Sequence, residues 1–208
     1  MKKYIAEFLG TLLIVFIGAG VICANHTLKM TGGHGVGPTW TIPVFGIVIV
    51  AVVYATSYIS GSHINPAVTI SLLTTGRMHA NTAIFYIISQ LSGAVIAACF
   101  LRILFPDAVN TVHLGTCALG KGVGFWKAVF IEAIITFLFV FTIYATAVDK
   151  RTSKTLAGVA IGSVYLFGML VSTTITGGAF NPARVFGPAV VSGHFNSHFI
   201  WWLGPVPG

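Results

Sequence analysis

The chain has 208 residues, of which 56% are hydrophobic and only 7% are charged. Soluble domains carry roughly 25% charged residues, so this composition excludes an ordinary soluble domain, and lipid must cover much of the surface. The formal net charge of +7 does not indicate nucleic-acid binding, because the eleven Lys and Arg residues are scattered and form no basic helical face.

Five apolar stretches are long enough to cross a bilayer, which takes about 20 mainly apolar residues in an α-helix. Apart from Glu7 and Glu132, they are free of charge. A sixth apolar stretch begins near His198 and stops at Gly208, and we expect it to be a sixth span that is truncated in this sequence. The five stretches are residues 4–24, 42–59, 83–101, 128–148 and 157–175. The sequence therefore predicts an all-α membrane protein with a single channel domain over residues 1–208.

Two shorter apolar segments, residues 61–73 and 177–191, each contain the sequence Asn-Pro-Ala. Both are too short to span a bilayer and have an internal proline. Non-helical backbone at membrane depth is stable only when it is buried in protein or lines a watery cavity. Ordinary surface loops would be polar and charged, so we predict two re-entrant segments, each with a half-helix.

The distribution of basic residues predicts the orientation, because cytoplasmic segments of membrane proteins are enriched in Lys and Arg. With the N-terminus inside, six of these residues fall on the cytoplasmic side and four on the outer side. The cytoplasmic set is Lys2, Lys3, Arg77, Lys150, Arg151 and Lys154, and the outer set is Lys29, Arg102, Lys121 and Lys127. We expect a multi-pass protein of the cell (plasma or inner) membrane with a cytoplasmic N-terminus.

The chain contains an internal repeat, over about residues 1–103 and 125–208. Residues 6–16 and 131–141 share Glu, Thr, Leu, Val and Phe at five of eleven positions, and each copy is followed by a second span and then by Asn-Pro-Ala. Since the first copy has three spans, the second starts on the opposite side of the membrane. The repeats are therefore inverted, and their Asn-Pro-Ala turns should meet near the membrane midplane.

A carboxylate within a membrane helix is a functional-site candidate by default. Glu7 and Glu132 occupy equivalent places in the two repeats, each ahead of its own re-entrant segment. We expect them to support the loops by accepting hydrogen bonds from backbone N–H groups. The alternative is a proton relay, which would make the protein a proton-coupled secondary transporter of a small solute.

The Asn-Pro-Ala turns have a specific chemistry. Asn is a favoured N-cap and Pro suits the first helical position, so each turn should start a short helix and leave the Asn NH2 group free to donate into a lumen. Two positive helix ends and two donors at the centre would exclude protons and cations. The residues of the two turns are Asn65, Pro66, Ala67, Asn181, Pro182 and Ala183. The preceding residues should offer carbonyl oxygens to a passing solute: Gly61, Ser62, His63, Ile64, Gly177, Ala179 and Phe180.

The sequences SGSHINPAVT (residues 60–69), GGAFNPARVFGPA (residues 177–189) and AEFLGT (residues 6–11) resemble the aquaporin/aquaglyceroporin family, the major intrinsic proteins, in a form similar to prokaryotic aquaporins. The resemblance covers nearly the whole chain. It implies six spans and two half-helices, one pore in each protomer, and a homotetramer.

The resemblance also implies a selectivity filter of Phe45, Met169, Gly178 and Arg184, of which Arg184 directly follows the second Asn-Pro-Ala. Many strict water channels of the family have histidine at the position of Met169. The absence of that histidine here favours solutes larger than water. Glycerol facilitators typically have aspartate after the filter arginine, whereas this chain has Val185. We therefore predict a passive water channel that excludes protons and ions, with glycerol or other small neutral solutes as further candidate solutes.

Other classes of function find little support in the sequence. No His, Cys or carboxylate cluster has metal-ligand spacing, no nucleophile is paired with a base, and no phosphate-binding loop follows a strand. We expect no enzyme activity, no metal and no cofactor. The expected partners are water, small neutral solutes, membrane lipid and further copies of the chain, without nucleic acid.

Overall fold

The computed structural model describes the backbone of residues 1–208 and every side chain except those of residues 38 and 39. The described chain is helical, as predicted. Its α-helices are α1 (Lys2–Met30), α2 (Gly37–Ser60), α3 (Pro66–Thr74), α4 (Ala80–Leu104), α5 (Ala108–Thr111), α6 (Phe125–Ile143), α7 (Ala157–Thr176), α8 (Pro182–Ser192) and α9 (Ile200–Leu203). Helices α1, α2, α4, α6 and α7 provide the five segments that are long and apolar enough to cross a membrane.

The membrane-crossing helices extend beyond the apolar stretches that predict them. Helix α1 continues to Met30, although its apolar stretch ends at residue 24, and α4 begins at Ala80 rather than at residue 83. Helix α6 continues into a π-helical turn, Tyr144–Val148. Hydropathy detects only the part of a helix within the hydrocarbon core, whereas backbone hydrogen bonding continues into the polar interface.

The predicted sixth span corresponds in this chain to α9 and the turns that follow it. The side chain of Trp201 is 1% exposed, and its indole N–H donates to the carbonyl oxygen of Thr176 at 3.2 Å. A methyl group added at Gly204 would lie 2.6 Å from Cβ of Glu132. The segment is therefore packed against the end of α7 and the middle of α6.

Two glycines allow helices to approach at backbone distance. A methyl group added at Gly93 of α4 would lie 2.3 Å from the carbonyl oxygen of Phe8 in α1. One added at Gly187 of α8 would lie 2.3 Å from the carbonyl oxygen of Ala94 in α4. Small residues at such contacts favour association in lipid, where no hydrophobic effect drives helices together. Helix α8 is thereby held deep in the bundle.

The outer surface of the bundle is apolar, as expected for a protein covered by lipid. Side chains such as Phe130, Phe137 and Ile103 are 66%, 53% and 75% exposed, respectively. We call the membrane face at which α1 begins the N-terminal face. Because the five spans cross in turn, the α3–α4 turn and the α6–α7 loop lie at this same face.

Candidate functional site

The two half-helices α3 and α8 begin directly after an asparagine, as predicted. The side-chain oxygen of Asn65 accepts a hydrogen bond from the backbone N–H of Ala67 at 2.9 Å. The side-chain oxygen of Asn181 accepts from the N–H of Ala183 at 3.0 Å. Both asparagines have extended backbone and both helices have proline at the start, so the predicted N-caps are confirmed.

The backbone before each cap has the same unusual conformation. Positive φ angles occur at three matching positions in the two loops: Gly61, Ser62 and Ile64 have φ of 86°, 53° and 47°, and Gly177, Gly178 and Phe180 have φ of 81°, 64° and 51°. A non-glycine residue in this region costs of order 1–3 kcal/mol. Each loop therefore needs strong anchors to hold Ile64 or Phe180 in place.

Glu7 anchors the first loop. One carboxylate oxygen accepts from the backbone N–H of His63 at 3.0 Å and from the hydroxyl of Ser60 at 2.6 Å. The other accepts from the N–H of Ile64 at 2.6 Å and from the side-chain amide of Gln90 at 2.7 Å. The Glu7 side chain is completely buried, so its four donors take the place of water.

Glu132 anchors the second loop in the same way. It accepts from the backbone N–H groups of Ala179 at 3.1 Å and Phe180 at 2.9 Å. The hydroxyl of Thr176 donates to it at 2.5 Å. The backbone hydrogen bonds expected for both glutamates are therefore present.

Sequence reasoning missed the residues that complete these anchors. Ser60 and Thr176 each donate a hydroxyl to the glutamate of their own repeat. Their carbonyl oxygens accept from the Tyr86 hydroxyl at 2.8 Å and from the Trp201 indole at 3.2 Å. The available signal was a hydroxyl residue followed by glycine at the same place in both repeats. Gln90 had no such signal, because no matching glutamine occurs in the second copy.

The two loops are joined at their centre by a crossed pair of hydrogen bonds. The side-chain NH2 of Asn65 donates to the carbonyl oxygen of Phe180 at 2.7 Å, and that of Asn181 donates to the carbonyl oxygen of Ile64 at 2.9 Å. The expectation that each NH2 is wholly free was therefore wrong. An amide NH2 has two N–H donors, so one donor on each asparagine is left without an acceptor among the described residues.

The carbonyl groups predicted to meet a solute fall into two sets. Those of Ile64 and Phe180 accept from the opposite asparagine, and that of Ala179 accepts from the hydroxyl of Tyr165 at 2.8 Å. Since a carbonyl oxygen has two lone pairs, each of these three keeps one that accepts no protein donor. Within the described chain, no protein donor reaches the carbonyl oxygens of the others, which are Gly61, Ser62, His63 and Gly177.

A cavity of about 560 Å³ extends from the N-terminal face to the first loop. Residues Gly61, Ser62, His63 and Ile64 line its inner end, whereas Gly177, Ala179 and Phe180 are not among its lining residues. The opposite wall is apolar and includes Ile49, Val53, Phe139, Ile143 and Ile161. Sequence reasoning missed this wall, because helices that are apolar on all sides do not indicate which face lines a cavity.

His63 lies where the cavity meets the loop. Its Nδ1 atom is 3.2 Å from the hydroxyl of Thr69, and its ring packs edge-on against Tyr86 with 5.0 Å between centroids. His63 thus lies in the loop within hydrogen-bonding distance of Thr69, as predicted. Among the residues that the structure describes, no group of three or more His, Cys, Asp or Glu residues is placed to hold a metal ion.

The four predicted filter residues form two contacting pairs beyond the loops. The Arg184 guanidinium carbon lies 5.0 Å from the centre of the Phe45 ring. A methyl group added at Gly178 would lie 3.3 Å from Cγ of Met169. Phe45, Met169 and Arg184 are at most 3% exposed. These three side chains are therefore buried, and none of them lines the 560 Å³ cavity on the other side of the loops.

Arg184 is only partly paired. Its Nη1 atom donates to the carbonyl oxygen of Gly115 at 2.8 Å, while its Nε atom is buried without a hydrogen-bond partner among the described residues. A buried donor without an acceptor costs about 1–3 kcal/mol. The Nε–H group is therefore an unsatisfied donor among the described residues.

Membrane-crossing helices around two capped half-helices, whose N-termini meet in the protein interior, define a channel-type membrane fold. Sequence comparison agrees with it: residues 1–208 match the profile of the family described as Major intrinsic protein. The chain belongs to the major intrinsic protein family.

Individual relatives cover the whole chain. It is 39% identical over 215 aligned positions to a protein named Probable aquaporin TIP2-2 from Oryza sativa subsp. japonica, covering 100% of this chain and 83% of the relative. It is 38% identical over 211 positions to Aquaporin TIP2-1 from Arabidopsis thaliana, with the same coverage. The fold matches the X-ray structure of the aquaglyceroporin from Plasmodium falciparum with a TM-score of 0.83 at 22% identity, over 99% of this chain and 89% of that one.

Proposed function

We propose that this protein is a passive channel that conducts water across a membrane and excludes protons and ions. The observation that carries the proposal is the crossed pair of asparagines at the start of α3 and α8. Each uses one side-chain N–H to bind the opposite loop, and we assign the second N–H of each to the lumen. The relatives named as aquaporins support the same function.

The exclusion of protons follows from this centre. A water molecule there can accept hydrogen bonds from both asparagines through its oxygen, so its hydrogens must point towards the two exits. A proton wire requires water molecules that are ordered in one direction along the whole file, and the centre breaks that order. The N-termini of α3 and α8 each add roughly half a positive charge, which repels hydronium and other cations.

The choice of solute is assigned to the constriction formed by Phe45, Met169, Gly178 and Arg184. Arg184 carries a guanidinium group, whose N–H donors suit a water oxygen or a hydroxyl group. Phe45 and Met169 contribute apolar walls. We propose water as the main solute and glycerol as a second solute, because a hydroxyl can meet Arg184 while its carbon chain packs against these walls.

The alternative, a proton-coupled transporter, needs a carboxylate that exchanges protons during transport. Four donors surround Glu7 and three surround Glu132. Protonation would set an O–H group against these donors and release the strained loops. The geometry supports a positioning role for both glutamates.

The wider arrangement is part of the proposal. We assign the N-terminal face to the cytoplasm and the protein to the cell membrane, on the basis of the basic residues at that face. The two halves, about residues 1–103 and 125–208, are proposed to be inverted repeats, which the matching anchors of the two loops support. A homotetramer with one pore in each protomer fits the apolar outer surface.

The function is tested by measuring water and glycerol flux in the same proteoliposomes by stopped-flow light scattering. We expect osmotic shrinkage well above that of empty liposomes, with no dependence on a pH gradient. Met169→His should lower glycerol flux more than water flux, because it narrows the constriction and adds polarity, whereas Met169→Leu should preserve both fluxes. Shrinkage no faster than in empty liposomes, together with solute uptake driven by a pH gradient, would reject the proposed channel function in favour of a proton-coupled transporter.

A further inference from the structure

A second cavity, of about 670 Å³, lies at the N-terminal face between the α3–α4 turn and the end of α6. We call it the headgroup pocket and define it by five of its lining residues: Phe141, Tyr144, Lys150, Arg151 and Arg77. The channel function uses none of these residues at the pore centre or at the constriction. Their arrangement combines cations, an aromatic surface and a lipid-facing side chain.

The charges of the headgroup pocket are unbalanced. Asp149 is its acidic lining residue, and it is already paired with Arg151, whose Nε and Nη2 atoms donate to its two oxygens at 3.0 and 2.6 Å. This pairing holds the pKa of Asp149 below its usual value. Arg77 and Lys150 are left without an acidic partner among the described side chains. The pocket therefore offers two free positive charges to an anion.

Arg77 is held in position for such a ligand. Its guanidinium carbon lies 5.5 Å from the centre of the Tyr144 ring. The Tyr144 hydroxyl is itself fixed, at 2.7 Å from the Thr75 hydroxyl and 3.0 Å from the carbonyl oxygen of Ser71. Stacking leaves the edge of a guanidinium free, and that edge presents paired N–H groups matched to phosphate oxygens.

The other end of the pocket is apolar and open to the bilayer. The Phe141 side chain is 61% exposed and its neighbour Phe137 is 53% exposed, and their rings stack with 6.2 Å between centroids. Both lie on α6, which leads from the hydrocarbon region to Lys150. A ligand that fills the pocket therefore needs an anionic group at one end and a hydrocarbon chain at the other.

We propose that the headgroup pocket binds an anionic phospholipid, with its phosphate at Arg77 and Lys150 and its first acyl segment against Tyr144 and Phe141. Basic pockets beside membrane helices are suited to anionic headgroups. A zwitterionic lipid would bring a quaternary ammonium group to a site with two unpaired cations. Free inorganic phosphate would leave the apolar half of the pocket empty.

Lipid bound in the headgroup pocket would also affect the 560 Å³ cavity. Arg77 lines both the headgroup pocket and the 560 Å³ cavity. A bound phosphate fixes the Arg77 side chain on the pocket side of this shared wall. The lipid site is independent of the proposed channel function, because its test measures binding rather than flux.

The test uses the full chain in neutral detergent and microscale thermophoresis with three probes: dioctanoyl phosphatidylglycerol, dioctanoyl phosphatidylcholine and inorganic phosphate. The variants are Arg77→Gln/Lys150→Gln, Lys150→Gln alone and, as a matched control, Lys2→Gln. Lys2 is exposed at the same membrane face, at the start of α1. All of these positions are exposed, and thermal melting of each variant checks that the fold is intact.

We expect phosphatidylglycerol to bind more tightly than phosphatidylcholine. The double variant should bind it about 25-fold more weakly, since each basic residue near an anionic lipid contributes a factor of roughly five. Lys150→Gln should lose about fivefold by the same reasoning, and Lys2→Gln should leave the affinity unchanged. An equal loss in Lys2→Gln would mean diffuse charge attraction and would overturn the proposal. Unchanged binding in the double variant, or phosphate binding as tight as that of the lipid, would overturn it as well.

Discussion

Replacing Glu132 by glutamine tests whether the carboxylate holds the second re-entrant loop. Glu132 accepts from two backbone N–H groups, of Ala179 and Phe180, and from the Thr176 hydroxyl. Glutamine has the same shape, but its NH2 group is a donor. However the amide is turned, one backbone N–H loses its acceptor, because the NH2 takes the place of one carboxylate oxygen.

The magnitude follows from these contacts. A buried N–H without a partner costs about 1–3 kcal/mol. The two remaining hydrogen bonds lose charge assistance, at about 1 kcal/mol each. Glu132→Gln should therefore make opening of the loop easier by about 3–5 kcal/mol. At 1.4 kcal/mol for each factor of ten, the open population rises at least about 100-fold.

Cys117 reports this opening. A methyl group added at Gly177 of the loop would lie 3.1 Å from the Cys117 sulfur, and Cys117 as a whole is 2% exposed. Burial raises the pKa of Cys117 to about 12, so the folded protein should react slowly with thiol reagents near neutral pH. The assay is the labelling rate of Cys117 in a Cys23→Ala/Cys99→Ala background.

Glu132→Gln should raise the labelling rate of Cys117 about 100-fold or more and lower water permeability in proteoliposomes. The matched control is Glu7→Gln, which loosens the first loop and should have a much smaller effect on Cys117. Labelling of Glu132→Gln at the parent rate, together with normal water conduction, would show that the loop does not depend on the carboxylate.

Two further predictions concern packing and the outer histidines. Gly187→Ala should abolish the peak of folded protein in detergent size-exclusion chromatography, because its methyl group would lie 2.3 Å from the Ala94 carbonyl oxygen. The methyl group of Gly124→Ala would lie within 4 Å of none of the described atoms, so this control should be neutral. The rings of His113 and His194 stack with 3.7 Å between centroids, and burial, followed by the charge on His113, lowers the pKa of His194. As the pH falls, His194 therefore binds a proton in the unfolded chain before it does so in the folded protein. Protonation then favours the unfolded state, so the unfolding temperature should drop as the pH is lowered from about 7 to about 5. His194→Asn should flatten that drop, and an unchanged slope would contradict the assignment.

The features predicted well from the sequence are those that follow from local chemistry. A helix in lipid must be apolar along about 20 residues, which marked the five spans. The sequence asparagine followed by proline predicted the first residue of α3 and of α8 correctly. Repetition of Glu7 and Glu132 ahead of the two loops was enough to predict their backbone partners.

The features that escaped prediction depend on contacts between distant segments. The Asn65 side chain binds the carbonyl of Phe180, and no property of either residue's neighbours in the chain specifies that pairing. The apolar cavity wall, including Phe139, lies on helices without a polar stripe. Gln90 binds Glu7 from a helix that otherwise resembles any apolar span.

The crossed asparagine bonds impose an order on the making of the protein. The partner of Asn65 lies 115 residues further along the chain, so the first loop enters the membrane before its carbonyl acceptor has been synthesised. At about 5–20 residues per second, that interval lasts on the order of ten seconds. During this time only Glu7 and its partners in the first half can hold the first loop, and the centre of the channel is completed only when the second half arrives.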